Sequence, residues 1–157
     1  MAGLRQTFLT KLTDVNTSDT EGVGTLRYEG GKWYKWVNFK NTTATVAGAA
    51  GSLVGYFAVT GYGNNRVVAD LSDADAAVFC AGATLAAVTG TLTVDYYCWI
   101  QIKGAITLDT AVGSGAAGSP FYLTSTDKTG AIMSAATQSK AGISANTTTS
   151  VVLDCPF

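Results

Sequence analysis

From Val94 to Gly104 apolar and polar side chains alternate with a period of two. Val94, Tyr96, Cys98, Ile100 and Ile102 fall on one face. Asp95, Tyr97, Trp99, Gln101 and Lys103 fall on the other. Alternation rich in aromatic and β-branched residues predicts a half-buried strand. Gly104 punctuates it, and Ala105-Ile106-Thr107-Leu108 resumes the extended pattern. The small-residue loop Gly113–Pro120 then turns the chain into Phe121-Tyr122-Leu123.

The clearest hairpin runs from Thr25 to Phe39. Gly30-Gly31 supplies a two-residue loop of the kind that tolerates positive φ. The register follows from it: Glu29 faces Lys32, Tyr28 faces Trp33 and Arg27 faces Tyr34. Leu26, Tyr28, Trp33, Val37 and Phe39 then share one face, which is expected to be core. Arg27, Tyr34 and Trp36 share the other. An Arg flanked by Tyr and Trp has the composition of a protein–protein hot spot. Cover by the chain's own arm or by another loop accounts for the same face equally well.

Residues 1–23 read as that arm. Threonines dominate it, with Leu4, Phe8 and Leu12 as isolated apolar anchors. The spacing of these three suits one face of a short helix, but the Thr-rich composition and the missing cap favour extended chain. So few apolar residues cannot form a core of their own. They need a cover, either the protein's own sheet or a neighbouring subunit.

Further strands are expected at Ser52–Val59, Arg66–Ala69, Leu92–Val94, Ala131–Met133, Ala141–Ser144 and Ser150–Cys155. Gly61–Asn65 reads as a turn, and 41–51 and 134–140 as loops. One short helix is expected from Ser72 to about Gly82. Ser72 is a competent N-cap, Asp73 and Asp75 suit the first turn, and Ala74, Ala76 and Ala77 are strong helix formers. The expected fold is mainly β, a small barrel or sandwich with an extended N-terminal arm and one short helix. Residues 24–157 form a single β-domain, with a sub-lobe boundary near 90 and a small C-terminal barrel over 91–157.

The 157 residues fit one domain, and at this length about two-thirds of the unfolded surface can be buried. Charged residues make up 13% and the net charge is −1. Ordinary soluble domains carry roughly 25%, so much of the exterior is expected to meet other protein, in a homo-oligomer. The scattered Lys and Arg form no nucleic-acid footprint. No run reaches the roughly 20 apolar residues of a membrane helix. The first residues lack the apolar stretch of about 7–15 residues of a signal peptide, so assembly in a cytoplasm is expected. Cys80, Cys98 and Cys155 have no metal-binding spacing, and Cys98 reads as a small buried hydrophobe. A Cys98–Cys155 bridge is an open alternative but disfavoured in a reducing compartment.

Reaction chemistry is hard to place in this chain. It has no His, which removes the usual general base and the commonest metal ligand. Glu21 and Glu29 are the only glutamates. Asp70, Asp73 and Asp75 are closely spaced but lack the Gly and terminal Glu of an EF-hand loop. Gly113-Ser114-Gly115-Ala116-Ala117-Gly118 spells G-x-G-x-x-G but precedes Pro120 and a short strand, not a helix. No catalytic residue, metal ligand or cofactor-binding residue is therefore assigned.

A resemblance supplies more. Tyr97-Cys98-Trp99-Ile100-Gln101-Ile102-Lys103-Gly104, then Thr107-Leu108-Asp109, then Ala116–Leu123, then Ala141-Gly142-Ile143 and Val151–Asp154, resembles the small β-domain of tailed-bacteriophage head proteins. Gly22–Arg27 with Lys32–Val37 is similar to the front half of the same group. The likeness covers roughly residues 20–157. It implies a capsid decoration, or cement, protein: no enzyme and no cofactor, and a trimer on the outer surface of the virion head. Its partner there would be the major capsid protein, whose subunits it clamps. The resemblance also implies an arm that orders on the capsid, a role for residues 1–23. Leu4, Phe8, Leu12, Arg27, Tyr34, Trp36, Tyr97 and Trp99 are the candidate protein-contact residues. A carbohydrate-binding module using Trp36, Tyr97 or Trp99 as a stacking platform is the alternative. The two differ in whether those rings are open to solvent.

Overall fold

The computed structural model describes residues 7–41, 43–57, 65–72, 76–113, 116–133, 140–144 and 149–155. They form eleven strands: β1 (Val15–Asn16), β2 (Leu26–Glu29), β3 (Lys32–Phe39), β4 (Leu53–Phe57), β5 (Arg66–Val68), β6 (Ala76–Thr84), β7 (Tyr96–Thr107), β8 (Pro120–Leu123), β9 (Gly130–Ile132), β10 (Lys140–Ser144) and β11 (Ser150–Asp154). All belong to one mixed sheet, and the protein is mainly β.

The alternating stretch forms β7, and the other strands are arranged around it. One edge of β7 is taken by β3, from Trp33 opposite Lys103 to Phe39 opposite Tyr96. The other edge is shared by three strands in succession. β1 pairs at Tyr97 and Cys98, β6 at Ile100 and Gln101, and β11 from Lys103 to Thr107. β3 also pairs in parallel with β5, β5 with β4, and β4 with β6. The five strands β3, β5, β4, β6 and β7 thus close on themselves, which leaves none of them a free edge along the ring.

Val37, Phe39, Tyr56, Cys98, Ile100 and Ile102 belong to one apolar cluster on the inward face of this ring. Past Gly104 the second half of β7 continues into a flanking sheet, β11-β10-β8-β9. Gly104 has φ +101°, and a Cβ there would lie 3.0 Å from Lys32 Cγ. Phe121, Leu123, Ala141, Val151 and Leu153 from the flank join the same cluster. The core is therefore continuous through both parts. The closed ring lies within residues 32–107, not within 91–157 as the strand spacing predicts. Strands distant in sequence complete it, and local pattern carries no record of such pairing.

The hairpin has the expected register, Glu29–Lys32, Tyr28–Trp33 and Arg27–Tyr34. Gly30 and Gly31 have φ of 59° and 77°, which suits a type I′ turn. Two expectations are corrected. The helix expected from Ser72 to about Gly82 is not formed; Ala76–Thr84 is strand β6. Ala81 and Ala83 are fully buried between β4 and β7. At Gly82 a Cβ would lie 2.4 Å from the Gln101 carbonyl oxygen. Small residues are needed there for backbone approach, and packing overrides their helix propensity. The strand expected at Leu92–Val94 is instead a bend closed by Thr91 Oγ1, which accepts from Val94 N and donates to Val94 O. The turn residues 61–64, the first-turn residues 73–75 and the loop residues 134–139 lie outside the described residues.

Candidate functional site

Four of the candidate contact residues lie on the outward face of β3 and β7. Period-two alternation puts Tyr34 and Trp36 of β3 there with Tyr97 and Trp99 of β7. Trp36 and Trp99 are paired directly across the two strands. Their ring centroids are 5.3 Å apart, edge to face. Both are 0% exposed.

Their cover is the protein's own arm. Phe8 sets its ring edge-on to Trp99, 5.5 Å between centroids. Phe8, Leu12, Leu85 and Tyr97 pack against Tyr34, Trp36 and Trp99 as a second apolar cluster. Of the two covers the sequence left open for this face, the structure places the arm there. Trp36 and Trp99 are closed to solvent and to any further chain while the arm lies in place. Leu4 lies outside the described residues.

Polar groups fix the arm in register. A buried indole N–H requires an acceptor, and the arm supplies both that are needed. Trp99 Nε1 donates to Thr10 Oγ1 at 2.8 Å, and Thr10 Oγ1 donates on to Glu21 Oε1 at 2.7 Å. Thr10 N donates to the same carboxylate oxygen at 2.6 Å. Trp36 Nε1 donates to Asp19 Oδ1 at 2.8 Å. The Asp19 carboxylate also accepts from Gly22 N and Val23 N at 2.9 and 3.0 Å, which shapes the turn into the hairpin.

Arg27 closes the cluster at its rim. It donates to Thr10 O at 3.0 Å, and its guanidinium carbon lies 4.8 Å from the Phe8 centroid and 5.7 Å from that of Trp99. Its Nε donates to Glu29 Oε2 at 2.9 Å. Burial raises the pKa of the Tyr34 phenol, Glu29 adds to the rise, and Arg27 opposes it. Phe8, Leu12, Arg27, Tyr34, Trp36, Tyr97 and Trp99 are thus brought together. Thr10, Asp19, Glu21 and Leu85 complete the group and were missed from sequence. The signal for the first three was indirect: two indole N–H groups needed partners beside a Thr-rich arm.

A second polar group sits on the opposite face. Lys35 is buried, and its Nζ donates to Tyr56 Oη at 3.1 Å. Burial lowers the pKa of the amine. Burial, then Cys155 and Cys80, push the Tyr56 phenol up to about 12. Cys80, Cys98 and Cys155 are all buried free thiols. Cys155 Sγ donates to Ala141 O at 3.5 Å, and the neighbouring Cys80 thiol together with burial raises its pKa. The near neighbour of Cys155 is therefore Cys80, and no Cys98–Cys155 bridge is formed. Among the described residues no His, Cys, Asp and Glu side chains gather in a group able to hold a metal ion. No helix among them is long and apolar enough to cross a membrane.

The hairpin end departs from expectation. Leu26, Tyr28 and Trp33 share a face with Val37 and Phe39 but project past the core. Tyr28 is 61% exposed and Trp33 36%. Their rings lie 5.1 Å apart with a 50° tilt. On the arm, Leu9 is 78% exposed. Compared with known proteins, the chain matches no family model, no curated protein and no solved structure.

Proposed function

We propose that this protein is a structural component of a virion. It binds the outside of an icosahedral phage head and stabilises contacts between major capsid subunits, as a homo-oligomer, most simply a trimer. No catalysis and no cofactor belong to this reading. Many weak copies on a lattice gain avidity without any single strong site. The likeness of residues 97–104 and 116–123 to small head-protein domains suggested it. The observation that carries it is the distribution of open apolar side chains. Leu9, Val23, Leu26, Tyr28 and Trp33 are exposed along the arm and hairpin, on a chain whose surface is otherwise sparsely charged. Apolar side chains left open along one stretch of chain suit contact with other protein.

The carbohydrate-binding alternative has less support. Of its three platform rings, Trp36 and Trp99 are sealed, and Tyr97 is partly covered beside them. The open pair Tyr28–Trp33 is tilted by 50° and offers no continuous flat platform.

The test is electron microscopy of the particle that carries this chain, with purified protein added to heads that lack it. Density on the outer head surface, and a gain in resistance of the head to heat, are expected. Absence of the protein from purified particles, or heads equally stable with and without it, would overturn the proposal. A glycan array bound at micromolar concentration would establish the alternative.

A further inference from the structure

The outer edge of the hairpin is an open, self-complementary strand. Trp36 N donates to Thr25 O, and the two-residue loop closes on Glu29–Lys32. Backbone groups of residues 25, 27 and 29 therefore face β3, and those of Leu26 and Tyr28 point away from it. Among the described residues, nothing beyond β3 bonds the backbone of Leu26 or Tyr28. Most edge strands are blunted by a bulge, a Pro or an inward charge. β2 has neither a bulge nor a Pro, its inward Arg27 is already matched by Glu29 of the same strand, and it carries Leu26 and Tyr28 exposed on one face.

We propose that β2 pairs antiparallel with β2 of a second copy of this chain, about a two-fold axis at Tyr28. The charge pattern selects this occupant. With Tyr28 opposite Tyr28, Arg27 of each copy falls opposite Glu29 of the other. These two side chains lie on one face and already form an ion pair within the chain, Glu29 being the more exposed partner. In the pair they become an alternating set of two cations and two anions, a favourable cross-strand arrangement. Any register shifted by two residues brings Arg27 opposite Arg27 or Glu29 opposite Glu29 and is disfavoured. On the other face Leu26, Tyr28 and Trp33 of both copies form one continuous apolar strip. Outward N–H and C=O groups of Tyr28 bond reciprocally, as a two-fold contact requires.

The strand is short. Alone it falls below the roughly 1,200–2,000 Å² of a stable interface, so association is weak in solution and gains strength where copies are held close together. This contact uses Leu26, Tyr28 and Trp33, three of the five open side chains on which the capsid reading rests, but needs no capsid and is distinct from any three-fold contact.

The test is sedimentation equilibrium of the full chain from about 10 μM to 1 mM, a range that detects weak dimers. Two variants accompany it. Tyr28→Pro removes the outward donor and leaves the β2–β3 bonds intact. Tyr28→Lys, at the same exposed position, sets like charges against each other. Concentration-dependent dimer is expected for the wild type, weaker in high salt. Each variant is expected to lose about tenfold or more in association constant. Circular dichroism confirms that the variants are folded, and Tyr28→Lys decides the matter if Tyr28→Pro does not fold. A wild type that is monomeric at the highest concentration would overturn the proposal. So would oligomers that Tyr28→Lys leaves unchanged. Head binding by the same variants is measured separately, so failure here leaves the capsid reading standing.

Discussion

Trp99 and Thr10 stand 89 residues apart in sequence and are joined by a 2.8 Å hydrogen bond from indole to hydroxyl. That bond ties the arm to the strand on which the fold is built. Thr10 is the pivot, since Glu21 and Arg27 also bond it. Thr10→Val keeps the shape but leaves the buried indole N–H unpaired and Glu21 without its hydroxyl donor. A loss of about 1–3 kcal/mol is expected. Trp99→Ala should cost about 3–5 kcal/mol, as for other buried aromatic truncations. Urea denaturation of the monomer checks both, and a Trp99→Ala protein that melts like the wild type would refute the intrachain packing.

Deleting residues 1–20 removes Phe8, Thr10, Leu12, the Asp19 cap and strand β1 together. Trp36 and Trp99 would then face water across the outward side of β3 and β7. The truncated chain is expected to be destabilised by several kcal/mol, with dye-binding apolar surface exposed. A truncated chain with an unchanged denaturation midpoint would mean that the arm is dispensable to the fold. Its sequence allowed that outcome, because an arm with three apolar anchors cannot fold alone. The structure makes the arm a layer of the domain.

Much of this was legible because it was local. The Gly30-Gly31 loop determines the hairpin register, and alternation from Tyr96 to Ile102 determines which side chains of β7 face the core. The rest depends on partners far away in sequence. Ala76–Thr84 has a helix-former's composition, yet Ala81, Gly82 and Ala83 are needed where β6 crosses close to Gln101. The Arg27–Tyr34–Trp36–Trp99 face was recognisable as one that must be covered. Its cover was not, because an arm and a second chain satisfy the same side chains. Tyr28 and Trp33 followed the apolar pattern, but the extent of the core beneath a hairpin is set by tertiary packing, and they project past it.

Lys35 is a buried amine with a phenol as its hydrogen-bond partner. Burying a cation without a counter-charge is costly. Lys35→Met retains the aliphatic stem, removes the charge and leaves Tyr56 with a further partner. A gain of about 1–2 kcal/mol is expected near pH 7. The gain should depend on pH in a definite direction. Between the lowered folded pKa of Lys35 and its ordinary value near 10.5, the unfolded chain binds the proton and the folded chain does not. Wild-type stability therefore rises with pH across that window, and the advantage of the variant shrinks. Parallel denaturation series from pH 7 to pH 10.5 check this. A variant less stable than the wild type at pH 7 would show that the Lys35–Tyr56 bond outweighs the desolvation.

The other buried titrating groups act in the opposite sense. Burial pushes the Cys98 thiol from 9.0 up to about 12, and the Tyr56 phenol from 10.0 up to about 12. Cys155 is raised as well, by the neighbouring Cys80 thiol and by burial. Each keeps its proton in the folded state after the unfolded chain has lost it. Stability contributed by the protonated groups is complete below pH 9 and lost as pH climbs toward 12. The slope is about 1.4 kcal/mol per pH unit for each group within its window. The two cysteines lose stability from about pH 9, and Tyr56 with Tyr34 joins them from about pH 10, where Lys35 alone gains it, so the net course above pH 9 is downward. Cys98→Val removes a thiol from a wholly apolar setting and should flatten the loss that begins near pH 9. Tyr56→Phe should flatten only the part that begins near pH 10. Urea midpoints measured every half unit from pH 8 to pH 11, with reductant present, separate the two onsets. Wild-type midpoints that stay level through this range would mean that these groups are far less shielded than their burial implies.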